Sequence, residues 1–195
     1  IDRLKGRLYR VVYGEYKAAG KVDMSKETDE QLIARLGRAN GYERATARRI
    51  FQSRKKASET SNKLLSMVKD DTLPRQTRLN AYWSLMGQGL LFSVSFTDWM
   101  IEGEDDPILR AWAIRTAGAE DQGRHVSFVA RAARHPSPEV QLQAAIAYPK
   151  LNARGAIPVL LDVLAHCGDD KLIPHIVWQN LHPLLEKDGE RFLHL

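Results

Sequence analysis

Residues 105–118, Asp105-Asp-Pro-Ile-Leu-Arg-Ala-Trp-Ala-Ile-Arg-Thr-Ala-Gly118, decide the fold, because their pattern returns on either side at a nearly fixed spacing. The stretch reads as a helix with its own start and stop. Asp106 is placed to accept from the free N–H groups of a first helical turn, and Pro107 has the fixed φ and missing donor suited to the first helical position. Gly118 is expected to end the helix in a left-handed conformation. Thirty-one residues on, Pro138-Glu-Val-Gln-Leu-Gln-Ala-Ala-Ile-Ala147 repeats the pattern, with Ser137 as the expected cap and Ala144 in the place of Ala113. Toward the N-terminus, Arg78 and Ala81 precede Arg110 and Ala113 by 32 residues, and Arg44 and Ala47 precede Arg78 and Ala81 by 34. Four copies in phase describe a repeat array.

A period of roughly 30 to 45 residues suits a helix pair, and stacked helix pairs make an α-solenoid. The recurring Ala is expected where two helices approach closely, with Leu79, Leu109 and Val140 as the larger core positions beside it. These starts and spacings resemble HEAT-type repeats. The expected fold is all-α, an α-α superhelix of about five antiparallel, right-handed helix pairs in residues 25–195, preceded by a short extended segment and linker in residues 1–24. Helices are expected near 28–37, with Thr28 and Gln31 as a capping box, then 41–52, 59–69, 74–87, 91–101, 106–117, 121–134, 138–148, 155–166 and 171–186. Within the second of these, Ala47, Ile50 and Phe51 are expected to be buried. Residues 6–13 are aromatic and β-branched between two glycines and read as a strand without a partner in this chain.

The composition narrows the function. With 195 residues, 44% of them hydrophobic, the chain is large enough for a sizeable core. One cysteine, Cys167, excludes an internal disulfide framework and a cysteine-based zinc cluster. The longest apolar run, residues 90–96, is far short of the roughly 20 residues that span a bilayer, so no membrane span is expected. The net charge of +5 sits at the front: residues 1–57 carry 15 Lys and Arg against 7 Asp and Glu, and the remainder is mildly acidic. A nucleic-acid groove running the length of the array is therefore disfavoured.

A more specific resemblance is carried by residues 6–13 (Gly6-Arg-Leu-Tyr-Arg-Val-Val-Tyr13), by Asp29-Glu-Gln-Leu-Ile33, by Tyr42-Glu-Arg-Ala-Thr-Ala-Arg-Arg49, by Arg78-Leu-Asn-Ala-Tyr-Trp-Ser-Leu85 and by Leu172-Ile-Pro-His-Ile-Val-Trp178. Together they resemble a family of large exported bacterial proteins, common in planctomycetes, that join a sorbosone-dehydrogenase-like β-propeller to HEAT repeats and a c-type cytochrome. The resemblance implies that residues 6–13 are the last propeller strand and that this segment is a non-catalytic scaffold. It also implies a parent that is a sugar or alcohol dehydrogenase of the periplasm or cell envelope. Its partners would be protein, including the propeller and cytochrome domains of the same chain, and haem c would lie elsewhere in the parent, because Cys-x-x-Cys-His is absent here. The alternative reading is a nucleic-acid-binding solenoid resembling HEAT-like DNA alkylation-repair proteins, with a cytoplasmic location left open.

No catalytic, cofactor or metal residue is expected in this segment. The six histidines have no metal-ligand spacing, and the acidic run 102–106 is better explained by helix capping than by calcium. Arg44, Arg78 and Arg110 recur at equivalent repeat positions as an interaction or stacking row, expected to donate to carbonyls or to a capping Asp and to be broken at Gln141. Arg48, Arg49, Arg54, Lys55 and Lys56 form a basic patch, read as a solvated face without interleaved aromatics. Trp83, Trp99, Trp112 and Trp178 fall at different repeat positions and are expected to pack between repeats.

Overall fold

The computed structural model describes residues 11, 13–15, 22–54, 58–88, 94–120 and 123–193. Within them are ten α-helices: α1 (Asp29–Leu36), α2 (Gly41–Ser53), α3 (Ser58–Lys69), α4 (Arg75–Gly87), α5 (Val94–Glu102), α6 (Pro107–Glu120), α7 (Val126–Ala132), α8 (Pro138–Leu151), α9 (Ala156–His166) and α10 (Ile173–Leu193). Short 3-10 turns occur at Met24–Lys26 and Ala153–Gly155. Consecutive helices pack as five hairpins. Second helices then lie against second helices, α2 on α4, α6 on α8 and α8 on α10, and first helices against first helices, α1 on α3 and α5 on α7. This is an all-α helical-repeat solenoid.

Each hairpin hides its apolar face only because its neighbour covers it. Ala47, Ala81, Ala113 and Ala144, the repeating small residues, are at most 1% exposed, and Leu79, Leu109 and Val140 are buried beside them. Phe51 is fully buried and Ile50 packs partly buried against the same core. Local signals set the starts. The Thr28 hydroxyl accepts from Gln31 N–H while the Gln31 side chain accepts from Thr28 N–H, a complete capping box. Asp106 Oδ1 accepts from the N–H groups of Ile108 and Leu109 at 2.9 and 3.4 Å. Asp170 caps α10 in the same way, through Leu172 and Ile173.

Several expectations change. Gly118 is not a helix stop. It lies inside α6, and the left-handed glycine is Gly123, at φ +92°, which moves the start of the next helix to Val126 instead of 121. Gly118 is small because α8 passes over it: a Cβ added there would sit 2.6 Å from the Ala147 Cβ. Ser137 occupies the N-cap of α8, yet its hydroxyl donates to the Glu139 carboxylate at 2.6 Å and makes no side-chain cap. The last helix runs through Pro183 to Leu193; the carbonyl four residues earlier that loses its donor belongs to exposed Gln179, where water can replace it. The expected strand at residues 6–13 lies outside the described residues apart from Val11 and Tyr13, both fully exposed and in no regular structure.

Candidate interaction surface

The second helix of each hairpin begins beside the C-terminus of the first, where the last carbonyls lack intrahelical donors. At four hairpins one side chain reaches across to those carbonyls. Arg44 Nη1 donates to the carbonyls of Arg38 and Ala39, both at 2.6 Å. Arg78 Nε donates to Val68 O at 2.8 Å, and Arg110 donates through Nε to Glu104 O at 2.9 Å and through Nη2 to Glu102 O at 3.1 Å. Gln141, in the equivalent place, donates through Nε2 to His135 O at 2.8 Å and to His166 O at 3.0 Å. Gln141 thus continues the row instead of breaking it, because what the position supplies is an N–H donor reaching exposed carbonyls; a positive charge adds to that through the helix dipole.

Two of these side chains also tie one hairpin to the next. Gln141 does so through His166 O. Arg78 does so through a buried ion pair, its Nη2 donating to Glu104 Oε2 at 2.6 Å, with the side chains 7% and 4% exposed. Glu104 Oε1 accepts from Asp106 N–H at 3.0 Å, so one carboxylate joins α4 to the entry of α6. Asp106 accepts in turn from Arg75 Nε. Burial pushes the Asp106 carboxyl upward, but Arg75 and the capped N–H groups outweigh burial and hold it below the usual carboxylate range.

Glu102, at the start of the acidic run, is engaged as well and accepts from Arg131. Among the histidines, His125 Nδ1 lies 2.8 Å from Asp98 Oδ1, His135 Nδ1 accepts from Ser137 N–H at 3.0 Å, and His166 Nδ1 donates to Asp162 O at 2.7 Å. These contacts fix loops and helix ends.

Among its described members the basic patch divides between different contacts. Arg54 pairs with Asp29 at 2.6 Å and donates to the Ser25 and Glu27 carbonyls, locking the end of α2 to the entry of α1. Arg49 is exposed, and Lys55 and Lys56 lie outside the described residues. Arg48 does something the sequence reading denied to this patch: its guanidinium lies 4.8 Å from the Trp83 ring centroid. Trp83 meets Trp112 edge to face, with centroids 5.1 Å apart and planes at 73°, and Arg115 covers Trp112 at 5.0 Å. The result is a cation, two indoles and a cation across α2, α4 and α6. The Trp83 Nε1 is buried without a hydrogen-bond partner, so ring contacts and not its N–H hold this indole. Trp99 stacks on Phe96 at 5.8 Å, whereas Trp178 is 54% exposed on α10, tilted against His182.

With five stacked hairpins and a buried alanine repeating in α2, α4, α6 and α8, the geometry is that of a helical-repeat protein. The family model for HEAT repeats matches residues 96–174. Those residues form a HEAT-repeat region. It runs from α5 into the start of α10 and contains the Arg110 and Gln141 contacts, while α1 to α4 continue the same hairpin stacking in front of it. Neither a curated protein nor a solved structure matches the chain.

The sequence reading missed Glu104 as the partner of Arg78, and it missed the pairing of Trp83 with Trp112. A signal for the second was present. The repeat equivalent of Trp112, at a spacing of 32, is Asn80, and Trp83 is one helical turn beyond Asn80 on the same face.

Proposed function

We propose that this chain is a non-catalytic HEAT-repeat scaffold within a larger exported dehydrogenase and c-type cytochrome protein, where it positions a propeller domain and an electron-accepting domain. The observation that carries the scaffold reading is where the charged side chains point. Arg44, Arg54, Arg78, Arg110, Glu102, Glu104 and Asp106 are each bonded to the ends of neighbouring helices, so they maintain the stack instead of converging on a reacting atom. The parent context is supported by the motif order in residues 6–49, 78–85 and 172–178. Covalent haem does not fit this segment: Cys167 is a lone buried cysteine whose Sγ donates to Leu164 O, outside any Cys-x-x-Cys-His arrangement. In this reading haem c belongs to another part of the parent, and the location is the periplasm or cell envelope.

The test is the coding sequence on either side of this chain. A propeller-coding stretch before Ile1 and Cys-x-x-Cys-His after Leu195 is the expected result; flanks that encode neither overturn the parent assignment. Duplex DNA titrated at low and high salt probes the opposed reading. Micromolar binding that falls steeply with salt would replace the scaffold by a nucleic-acid-binding solenoid.

A further inference from the structure

Many arginines among the described residues find a carboxylate or a helix-end carbonyl. Arg35, Arg54, Arg75, Arg78, Arg131 and Arg134 each have a carboxylate within 3 Å. Arg48 and Arg115 are different, for among the described residues neither has an acidic partner and each rests on an indole. Burial and the charge of Arg44 one turn away push Arg48 below its ordinary value, so this cation is held without a counter-charge. Beside Arg115, a groove of about 210 Å³ opens between α6 and α8, floored by Ile108, Ala111, Trp112 and Leu142 with Glu139 and Gln143 at its edge. It is too small for a drug-sized ligand and suits a single apolar side chain.

We infer that the Arg48, Trp83, Trp112 and Arg115 row and the adjoining groove form a docking surface for an extended acidic peptide segment, whose carboxylates pair with the two guanidinium groups over the indoles and whose apolar residue fills the groove. A guanidinium held over an indole by a cation–π contact can still offer N–H groups to a carboxylate, and its side chain is already partly ordered, which lowers the cost of pairing. Charge complementarity selects the occupant. Single-stranded nucleic acid needs bare rings on which to stack bases, and here an arginine lies over each indole. A polyphosphate backbone would also run against Glu139, whereas a peptide can place its acids away from it. The inference rests on the scaffold reading of the preceding section, but its test uses this chain alone and leaves the question of the parent untouched.

The experiment is fluorescence polarisation of a soluble fluorescein-labelled peptide of mixed Glu and Leu against the 195-residue chain. Peptides with Gln or Lys in place of Glu, and single-stranded DNA, serve as comparisons. The Glu peptide is expected to bind and the Lys peptide not to. Arg48→Gln and Arg115→Gln are each expected to weaken binding about tenfold, the effect of one well-placed anchor. Arg115→Lys keeps the charge and should retain part of the affinity, and Arg154→Gln, an exposed arginine outside the row, should change nothing. Each variant is checked by its melting curve, and Arg115, exposed on its helix, can be replaced without disturbing the core. No binding of the Glu peptide, equal weakening by Arg154→Gln, or tighter binding of DNA than of the peptide overturns the proposal.

Discussion

The seam between α4 and α6 and the seam between α6 and α8 join the same helix to its two neighbours by opposite means. On the α4 side the contacts are long and polar or aromatic: Arg78 with Glu104, Arg75 with Asp106, Trp83 with Trp112, and Tyr82, whose hydroxyl lies 2.7 Å from Thr116 Oγ1. On the α8 side Gly118 lies against Ala147, and both helices carry buried alanines, Ala113 and Ala117 on α6 and Ala144 and Ala147 on α8. Small residues let backbones approach and make the seam depend on shape. Long side chains hold helices further apart and make the seam depend on hydrogen bonds and charge. One repeat pattern therefore tolerates two kinds of interface, provided each helix end still finds its donors.

The largest expected effect separates the two seams directly. Glu104→Leu leaves Arg78 buried without its carboxylate and should cost about 3–5 kcal/mol in urea unfolding, whereas Arg78→Met combined with Glu104→Leu should recover most of that. A double variant as unstable as the single one would show that the pair is not what holds the seam. At the other seam, Ala113→Phe should cost about 1–3 kcal/mol by overpacking, and a neutral result would mean that α6 and α8 do not depend on small residues there.

The helix entries at the two seams should also differ. Asp106→Ala removes a side-chain cap and the partner of Arg75, for about 1–2 kcal/mol, while Ser137→Ala should stay within about 0.5 kcal/mol because its hydroxyl serves Glu139 and not the helix N–H groups. Equal costs in thermal melts would contradict the hydrogen bonding described for the two caps.

Two glycines give opposite signs. Ala is favoured over Gly in a helix by about 1 kcal/mol, and Gly189 in α10 has nothing within 4 Å of an added Cβ, so Gly189→Ala should raise the melting temperature. Gly118→Ala should lower it, by about 1 kcal/mol net, since overpacking against Ala147 exceeds the gain in propensity.

The smallest effect is one of pH. Burial, then the charge of Arg110, lowers the His135 imidazole below its usual value near 6.5, and its Nδ1 accepts from Ser137 N–H only when unprotonated. The folded state thus prefers the neutral ring. This stabilisation is complete above about pH 6.5 and fades as pH falls toward the lowered folded value, because the unfolded chain takes up the proton first. His135→Gln should flatten the melting temperature between pH 5 and 7; an unchanged slope would assign the pH dependence to another group.

The helix pairs were legible in the sequence because they rest on local chemistry. Thr28 and Gln31, Asp106 and Pro107, and the phased Ala47, Ala81, Ala113 and Ala144 act within one helix or one repeat length, so composition and spacing are enough to find them. Gly118 shows where that stops. A glycine near an expected helix end reads as a stop, and only the passage of α8 over it reveals a crossing; the same holds for Ser137, whose choice of Glu139 over the helix N–H groups is a matter of side-chain geometry. The partner of Arg78, the continuation of the row at Gln141 and the placing of Arg48 and Arg115 over the two indoles were decided by tertiary structure alone. A repeat spacing aligns equivalent positions in successive helices, but contacts across a seam form between positions two or three residues out of register, as in Trp83 with Trp112, Tyr82 with Thr116 and Gly118 with Ala147.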